Sequence, residues 1–128
     1  MVKFKVLIVD DDYINRKLLN SILKKELYKV ETLEASNGEE ALSICYQEED
    51  IHLILLDIEM PFVNGIEFLE RYLKDSLLKH APVIAISSND LCKKDALDAG
   101  AYDFLVKPIT EERLISSILA SSNSINSH

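Results

Sequence analysis

Short apolar runs alternate with longer amphipathic stretches along the whole chain. Five short segments are rich in apolar or β-branched residues and predict β-strands; they are Lys5–Val9, Val30–Ala35, Leu53–Leu56, Pro82–Ile86 and Asp103–Val106. Five stretches place apolar residues at helical spacing; they cover about Tyr13–Glu26, Asn37–Cys45, Asn64–Lys74, Asp90–Ala99 and Thr110–Ala120. Strands and helices that alternate in this way predict an α/β fold with one parallel sheet and helices on both faces.

The central strand is predicted at Leu53–Leu56, and it leads directly into Asp57. Four consecutive apolar residues are typical of a strand that is buried on both faces. Pro61 cannot continue a strand ladder, and Asn64-Gly65 marks a turn into the next helix. Asp57 is therefore predicted at the carboxyl end of a central strand, where open α/β sheets place their chemistry. An aspartate that merely ends a strand is the simpler alternative, so the other strand ends decide between the two interpretations.

Polar residues at the helix ends and apolar residues along the helices predict how the helices begin and pack. Asp12 is expected to cap the first helix, Asn37 and Glu40 to form a capping box, and Thr110 to cap the fifth helix. The residues of the first and fifth helices that are expected to face the core are Leu18, Leu19, Ile22 and Leu23, and Leu114, Ile115, Ile118 and Leu119.

Composition restricts the class of protein. The 128 residues are 48% hydrophobic and 28% charged, which is typical of one globular domain, here expected at residues 1–120. Residues 121–128 are polar and aperiodic, which predicts a disordered tail. Because no apolar run approaches the roughly 20 residues of a membrane helix and the start does not resemble a signal peptide, we expect a cytoplasmic protein that does not bind membranes. The net charge of −8 argues against direct nucleic-acid binding.

Four predicted strands end in residues that carry charge or a hydroxyl group. Asp10 and Asp11 follow the first strand, Asp57 the third, Ser87 the fourth and Lys107 the fifth. The carboxyl ends of parallel strands lie along one edge of the sheet, so these five side chains are expected to share one site. Three carboxylates that repel one another favour a hard divalent cation, and Mg²⁺ fits best because it accepts a few carboxylates, water and phosphate oxygens.

A lysine and a hydroxyl group beside a Mg²⁺ site are the partners that a phosphoryl group needs. Lys107 would supply a positive charge and Ser87 a hydrogen bond. A carboxylate can itself be the nucleophile and form an aspartyl phosphate. Because Asp57 is central and Asp10 and Asp11 are paired, Asp57 is predicted to be the acceptor and the pair to hold the metal.

These motifs, in this order and on these elements, resemble the CheY-like receiver domain of two-component response regulators over about Lys3 to Ala120. The matching segments are Val9 to Asp11 (V-D-D), Ala35 to Leu42 (A-S-N-G-E-E-A-L), Leu56 to Pro61 (L-D-I-E-M-P), Asn64-Gly65, Ile86-Ser87 and Gly100 to Pro108 (G-A-Y-D-F-L-V-K-P). The resemblance implies a flavodoxin-like (βα)5 doubly wound fold, whose five-stranded parallel sheet has the order 2-1-3-4-5.

The resemblance also implies how the site works. Asp57 would accept a phosphoryl group from a phosphohistidine of a histidine kinase or a histidine phosphotransfer protein. Asp11, Asp57 and the backbone carbonyl of Glu59 would hold Mg²⁺ directly, and Asp10 would act through water. Lys107 would contact the phosphoryl oxygens.

The switch implied by the resemblance involves Ser87 and Phe104. Ser87 would also contact the phosphoryl group and move toward it, and Phe104 would turn inward behind it. The face made by helix four, strand five and helix five would then change, which controls an output protein or domain or a phosphorylation-dependent homodimer. Ser87 is often Thr in the family and Phe104 is often Tyr, so the coupling here would depend on packing without a tyrosine hydroxyl. The resemblance also implies a cis peptide bond before Pro108.

The main alternative is a Mg²⁺-dependent phosphohydrolase of the haloacid dehalogenase type, which also uses an aspartate nucleophile and a lysine. That class carries D-x-D-x-[TV] after its first strand, and Asp10 to Ile14 has the two aspartates but not the last position. The segment Asp57-Ile58-Glu59 lacks the second aspartate, and no cap domain is predicted. A degenerate receiver is a further alternative, against which the complete acidic set and Lys107 argue. We therefore expect a self-labelling switch with slow loss of phosphate rather than a turnover enzyme.

Overall fold

The predicted alternation of strands and helices is confirmed in the computed structural model, which describes residues 3–59 and 65–126. The strands are β1 (Phe4–Val9), β2 (Val30–Ala35), β3 (Leu53–Asp57), β4 (Val83–Ser87) and β5 (Asp103–Val106). The helices are α1 (Tyr13–Glu26), α2 (Gly38–Gln47), α3 (Gly65–Lys74), α4 (Lys93–Asp98) and α5 (Glu111–Asn126), and a 3₁₀ turn at Asp90–Cys92 precedes α4. The turn expected at Pro61 and Asn64 lies outside the described residues.

The five strands form one parallel sheet in the order β2-β1-β3-β4-β5, so the predicted flavodoxin-like topology is confirmed. β3 is central, and all five of its residues are buried. It pairs with β1 through Val9 and Leu56 and with β4 through Asp57 and Ile86. This register places the end of β1 beside the end of β3, which brings the residues that follow β1 next to Asp57.

Helices cover both faces of the sheet because alternate strand residues point to opposite sides. One face, under α2, α3 and α4, has a core that includes Leu7, Val9, Ile54, Leu56, Phe68, Leu69, Tyr72, Ala96 and Phe104. The other face, under α1 and α5, has a core that includes Val6, Ile8, Leu19, Leu23, Leu53, Leu55, Ile84, Ile86, Leu114 and Ile118. Among the helices of the described residues, none is long and apolar enough to cross a membrane.

The predicted helix caps are confirmed by hydrogen bonds. Asp12 Oδ1 accepts the Ile14 N–H at 2.9 Å, and Thr110 Oγ1 accepts the Arg113 N–H at 3.2 Å. Asn37 Oδ1 accepts the Glu40 N–H at 2.8 Å. Glu40 Oε1 accepts the Ser36 N–H at 3.0 Å, whereas the usual capping box would use the N–H of Asn37, one residue later.

Two leucines expected to face the core are instead exposed. Leu18 in α1 is 58% exposed and Leu119 in α5 is 52% exposed. An α-helix turns by about 100° per residue, so the residue beside a buried one can point away from the sheet. The buried stripe of each helix is therefore narrower than the hydrophobic pattern indicates. Leu18 borders an open groove next to the carboxyl edge of the sheet.

Helix α5 continues past the predicted domain end at Ala120 into residues 121–126, where a disordered tail is expected. Ser121 is buried, and its hydroxyl donates a hydrogen bond to the Ile118 carbonyl at 2.7 Å. This local bond satisfies the serine inside the helix, and no proline or glycine interrupts the segment. The boundary between the domain and any disordered tail stays a prediction.

Replacing Gly65 by alanine is expected to destabilise the domain. A Cβ atom at Gly65 would lie 2.4 Å from the Ile58 Cα and 2.9 Å from the Asp57 carbonyl oxygen, so α3 or the end of β3 must shift. The expected loss in the free energy of unfolding is about 1–3 kcal/mol, measured by urea denaturation and circular dichroism. At an open helix position the same change would stabilise by about 1 kcal/mol, so an unchanged or more stable variant would disprove the close approach. Ser116→Ala, on the exposed side of α5, is the control.

Candidate functional site

Three carboxylates meet at the carboxyl edge of the sheet. Asp10 directly follows β1 and Asp57 ends β3, and both are almost fully buried, whereas Asp11 is exposed. One carboxylate oxygen from each of the three lies within 4.8 Å of the others. We refer to Asp10, Asp11 and Asp57 as the acidic cluster. The structure therefore brings together the three aspartates that the sequence predicts as neighbours.

Lys107 lies on the same edge and forms an ion pair with the acidic cluster. Its Nζ is 3.2 Å from Asp57 Oδ2, and its backbone N–H donates to the Ser87 carbonyl at 2.8 Å. Burial lowers the pKa of Lys107, but the charge of Asp57, the hydrogen bond to Asp57 and the charges of Asp10 and Glu59 raise it above the ordinary value overall. Lys107 therefore stays charged at neutral pH. The peptide bond to Pro108 is cis, as expected.

Ser87 is fully buried, and in this structure its hydroxyl is engaged by Glu59. The Ser87 hydroxyl donates to Glu59 Oε1 at 2.5 Å and accepts the Asn89 N–H at 3.0 Å. The Ser88 hydroxyl also donates to the Glu59 carboxylate, at 2.8 Å. The hydrogen bonds from Ser87 and then Ser88 hold the pKa of Glu59 below its ordinary value.

The backbone of Glu59 is also part of the site, because its N–H donates to Asp57 Oδ1 at 2.9 Å. This bond holds the carboxylate oxygen of Asp57 that Lys107 does not contact. Phe104, on β5, is buried in the core on the α4 side of the sheet and pairs in register with Ala85. Phe104 is therefore already packed inward in this structure.

The buried carboxyl group of Asp10 is electrostatically strained. Its pKa is raised from 3.8 to about 6, chiefly by burial and also by the charge of Asp57, although a hydrogen bond from the Asp12 N–H opposes the shift. A cation among the three carboxylates would relieve this strain. The donor set fits Mg²⁺, because it consists of hard oxygen ligands and because Asp11 faces solvent, which leaves room for water.

Two contributors were not predicted from the sequence. Ser88 shares the Glu59 carboxylate with Ser87, and Arg16 donates from its guanidinium to the Asp10 carbonyl oxygen. The sequence signal for Ser88 is only its place beside Ser87 at the end of a strand. The signal for Arg16 is its place one helical turn after Asp12, near a run of three aspartates. Neither signal is specific without the tertiary structure.

Comparison with known proteins places the chain in a family. The model of the response regulator receiver domain matches residues 6–119. The two-component response regulator ORR3 of Oryza sativa subsp. indica is 33% identical over 106 residues, which cover 81% of this chain and 79% of that protein. The chemotaxis protein CheY4 of Vibrio cholerae has a TM-score of 0.81 at 30% identity, over 94% of this chain and 99% of that chain.

The chain therefore belongs to the receiver domains of two-component response regulators. Its function is in phosphorelay signalling, and the family assignment supports this over a phosphohydrolase of the haloacid dehalogenase type. Receiver domains generally act as signalling switches rather than as turnover enzymes. The two-component response regulator-like PRR37 of Oryza sativa subsp. indica is 38% identical over 113 residues, which cover 86% of this chain. The chain spans only 15% of that relative's length.

The raised pKa of Asp10 predicts how the stability of the cation-free protein depends on pH. The folded state binds this proton more tightly than the unfolded state, whose aspartate titrates near 3.8. The contribution of Asp10 to the free energy of unfolding therefore increases as the pH falls from about 7 to about 4. Asp10→Asn removes the charge, and a shift of about two pKa units predicts about 1–3 kcal/mol of added stability at pH 7.

The measurement is urea unfolding of Asp10→Asn and the unaltered protein in a metal chelator, at pH 7 and pH 5. The difference in the free energy of unfolding between the two proteins should be larger at pH 7 than at pH 5. Asp98→Asn, which alters an exposed carboxylate on α4, is the control and should change little. Equal stabilities of Asp10→Asn and the unaltered protein at pH 7 would show that Asp10 is not strained.

Proposed function

We propose that this domain is a phosphorylation-dependent switch in which Asp57 accepts a phosphoryl group from a phosphohistidine of a histidine kinase or a histidine phosphotransfer protein. An oxygen of Asp57 would form the new bond to phosphorus as the bond from phosphorus to the histidine nitrogen breaks. The observation that carries the proposal is the contact of Lys107 with Asp57 at 3.2 Å, beside two further carboxylates within 4.8 Å. An acceptor, a positively charged lysine and a metal-binding set at one edge of the sheet suit phosphoryl transfer.

The acidic cluster would hold Mg²⁺ at this site. Asp11, Asp57 and the backbone carbonyl of Glu59 are proposed as direct ligands, and Asp10 as a ligand through water. When bound, the cation supplies positive charge that offsets the repulsion between the carboxylates and the incoming phosphoryl oxygens. The raised pKa of Asp10 supports this assignment, because its causes are chiefly burial and also the charge of Asp57, and a cation beside the carboxylates would offset both.

Lys107 and Ser87 are proposed to bind the phosphoryl oxygens. Lys107 already pairs with Asp57, and its ammonium group can move to contact an oxygen of the phosphoryl group without a change of fold. Ser87 has one hydroxyl proton, and the hydroxyl now donates its hydrogen bond to the Glu59 carboxylate. Contact between Ser87 and the phosphoryl group therefore requires that the hydroxyl leave the Glu59 carboxylate.

The switch would reach the surface through β4 and β5. Ser87 pairs in register with Val106, and Ala85 pairs with Phe104. A shift at the end of β4 would therefore displace the paired residues of β5. Phosphorylation would favour one of two arrangements of the face made by α4, β5 and α5. That face would then control an output protein or domain, or a phosphorylation-dependent homodimer.

The phosphodonor is proposed to dock beside the acidic cluster. A histidine that reaches Asp57 must lie over the carboxyl edge of the sheet. A groove of about 440 Å³ opens there, and its lining includes Leu18, Ile22, Lys107 and Ile109. The exposure of Leu18 gives this groove an apolar wall that a helix of the donor would cover.

Slow loss of the phosphoryl group and a cytoplasmic location also belong to the proposal.

Labelling with a small phosphodonor tests the proposed acceptor. The protein incubated with acetyl phosphate and Mg²⁺ should gain one phosphoryl group, measured by intact mass because the chain lacks tryptophan for a fluorescence assay. Asp57→Asn should abolish the gain, and a chelator should prevent it in the unaltered protein. Asp12→Asn changes a neighbouring aspartate that caps α1, and it should still be labelled.

Three outcomes would contradict the proposal. The first is labelling that persists in Asp57→Asn, which would place the acceptor elsewhere. The second is an unaltered protein that is neither labelled nor binds Mg²⁺ in a calorimetric titration. The third is rapid hydrolysis of many equivalents of a phosphate ester for each protein molecule, which would indicate a turnover phosphatase.

Ser87→Ala is expected to separate labelling from switching. Asp57 and the acidic cluster remain, so the variant should still take up one phosphoryl group. The changes in amide chemical shift that phosphorylation causes across α4 and β5 should be largely lost, because no hydroxyl follows the phosphoryl group. Ser88→Ala removes the other hydroxyl on Glu59 and should keep these changes. If the chemical-shift changes were retained in Ser87→Ala as fully as in Ser88→Ala, Ser87 would not couple the site to the surface.

A further inference from the structure

Arg16, on α1, donates a side-chain hydrogen bond to the backbone of the acidic cluster. Its Nη1 donates to the Asp10 carbonyl oxygen at 2.7 Å, and its Nε donates to Glu34 Oε1 at 3.0 Å. The Arg16 side chain is only 14% exposed. A guanidinium that is mostly buried and bonded to two partners through its planar fork has little freedom to move.

The Asp10 carbonyl group lies where the backbone leaves the sheet and turns into α1. The Asp10 N–H still belongs to the sheet, because it donates to the Ala35 carbonyl at 3.0 Å. After this residue the chain leaves the sheet and turns into α1. The carboxylate of Asp10 accepts the Asp12 N–H at 2.9 Å, so both sides of this turn are fixed. Arg16 thus holds the peptide between Asp10 and Asp11, on which the directions of both carboxylates depend.

Glu34 sets the direction of Arg16. Glu34 lies on β2, next to the residue that anchors Asp10, and it also accepts a hydrogen bond from Lys17 at 2.7 Å. The hydrogen bonds from Lys17 and Arg16 hold the pKa of Glu34 below its ordinary value, so Glu34 stays charged. Lys17 is much more exposed than Arg16, at 45%. The structure shows no bond from Lys17 to the Asp10 carbonyl, which makes Lys17 a natural control.

We propose that Arg16, oriented by Glu34, is a positioning residue of the cation site, which holds the turn after β1 so that Asp10 and Asp11 converge on Asp57. The inference rests on the proposed function only in that the acidic cluster binds Mg²⁺. Arg16 acts from behind the ligands through the backbone and touches neither the metal nor the phosphoryl group. It therefore stabilises a geometry in which carboxylates repel one another, and removing it should loosen that geometry.

Charge and position predict opposite effects for Arg16→Met. Removing a positive charge near the acidic cluster would by electrostatics alone tighten the binding of Mg²⁺. Loss of the hydrogen bond to the Asp10 carbonyl should instead weaken the binding of Mg²⁺. Arg16→Lys keeps the charge, but its single nitrogen cannot occupy the separate positions of Nη1 and Nε, from which Arg16 reaches the Asp10 carbonyl and Glu34. We expect both variants to bind Mg²⁺ about 10-fold more weakly, as for other groups that orient metal ligands.

The test is isothermal titration of the full chain with Mg²⁺, without phosphodonor. Lys17→Met is the matched control, and its affinity should stay within about twofold of the unaltered protein, because an exposed charge is screened by salt. Labelling with acetyl phosphate gives a second readout. At saturating Mg²⁺, Arg16→Lys should be labelled as fast as the unaltered protein, although it needs more Mg²⁺ to reach that rate. A variant that was merely less stable would show a lower melting temperature without this shift in Mg²⁺ dependence.

The outcomes separate this inference from the proposed function. Failure of the unaltered protein to bind Mg²⁺ would refute both. Normal binding by the unaltered protein, with equal affinity in Arg16→Lys or tighter binding in Arg16→Met, would refute the role of Arg16 alone. Equal weakening in Lys17→Met would also refute it, because that result would show a general effect of charge. If the Arg16 variants do not fold, Glu34→Met removes the acceptor that orients Arg16 and should weaken binding more than Glu31→Met, which removes another negative charge of β2. Equal effects of these two variants would overturn the inference.

Discussion

Repulsion between carboxylates at one edge of the sheet is the constraint on which the site depends. The parallel register of β1 and β3 forces Asp10 and Asp57 together, and the turn after β1 adds Asp11. The protein offsets this repulsion in two ways. Lys107 pairs with Asp57, and the elevated pKa of Asp10 allows a proton to neutralise it in weak acid. Neither the ion pair with Lys107 nor a proton on Asp10 offsets the repulsion among all three carboxylates, so the same edge suits a divalent cation.

The scaffold can hold such a cluster because its central strand is rigid. β3 is buried along its whole length between two apolar cores, so its last residue cannot move away from its neighbours. The close approach of Gly65 to Ile58 holds the start of α3 directly against the end of that strand. The stability of the hydrophobic layers thus supports an arrangement of charges that is unfavourable by itself. Sites of this kind are stabilised by the surrounding fold rather than by their own contacts.

Much of the fold and of the site could be predicted from the sequence because the signals are local. Apolar runs of strand length indicated the sheet, Asp12 and Asn37 indicated helix starts, and the residues that follow the strands indicated a shared edge. The exposure of Leu18 could not be predicted, because the hydrophobic pattern does not show how wide the contact between a helix and the sheet is. The bonds made by Glu59 and Arg16 were also missed. Long polar side chains choose partners that are distant in sequence, and composition does not reveal those choices.

The hydroxyl of Ser87 has a consequence for how a signal could be encoded. It carries one proton and lies in a fully buried position between Asn89 and the Glu59 carboxylate. A single proton cannot serve two anions at once, so any second anion at the edge of the sheet competes with Glu59 for it. Such a competition yields alternatives rather than gradations. The balance between the two arrangements is then set by the difference in free energy between two similar hydrogen bonds of Ser87. That difference is small enough for a single substitution to change it.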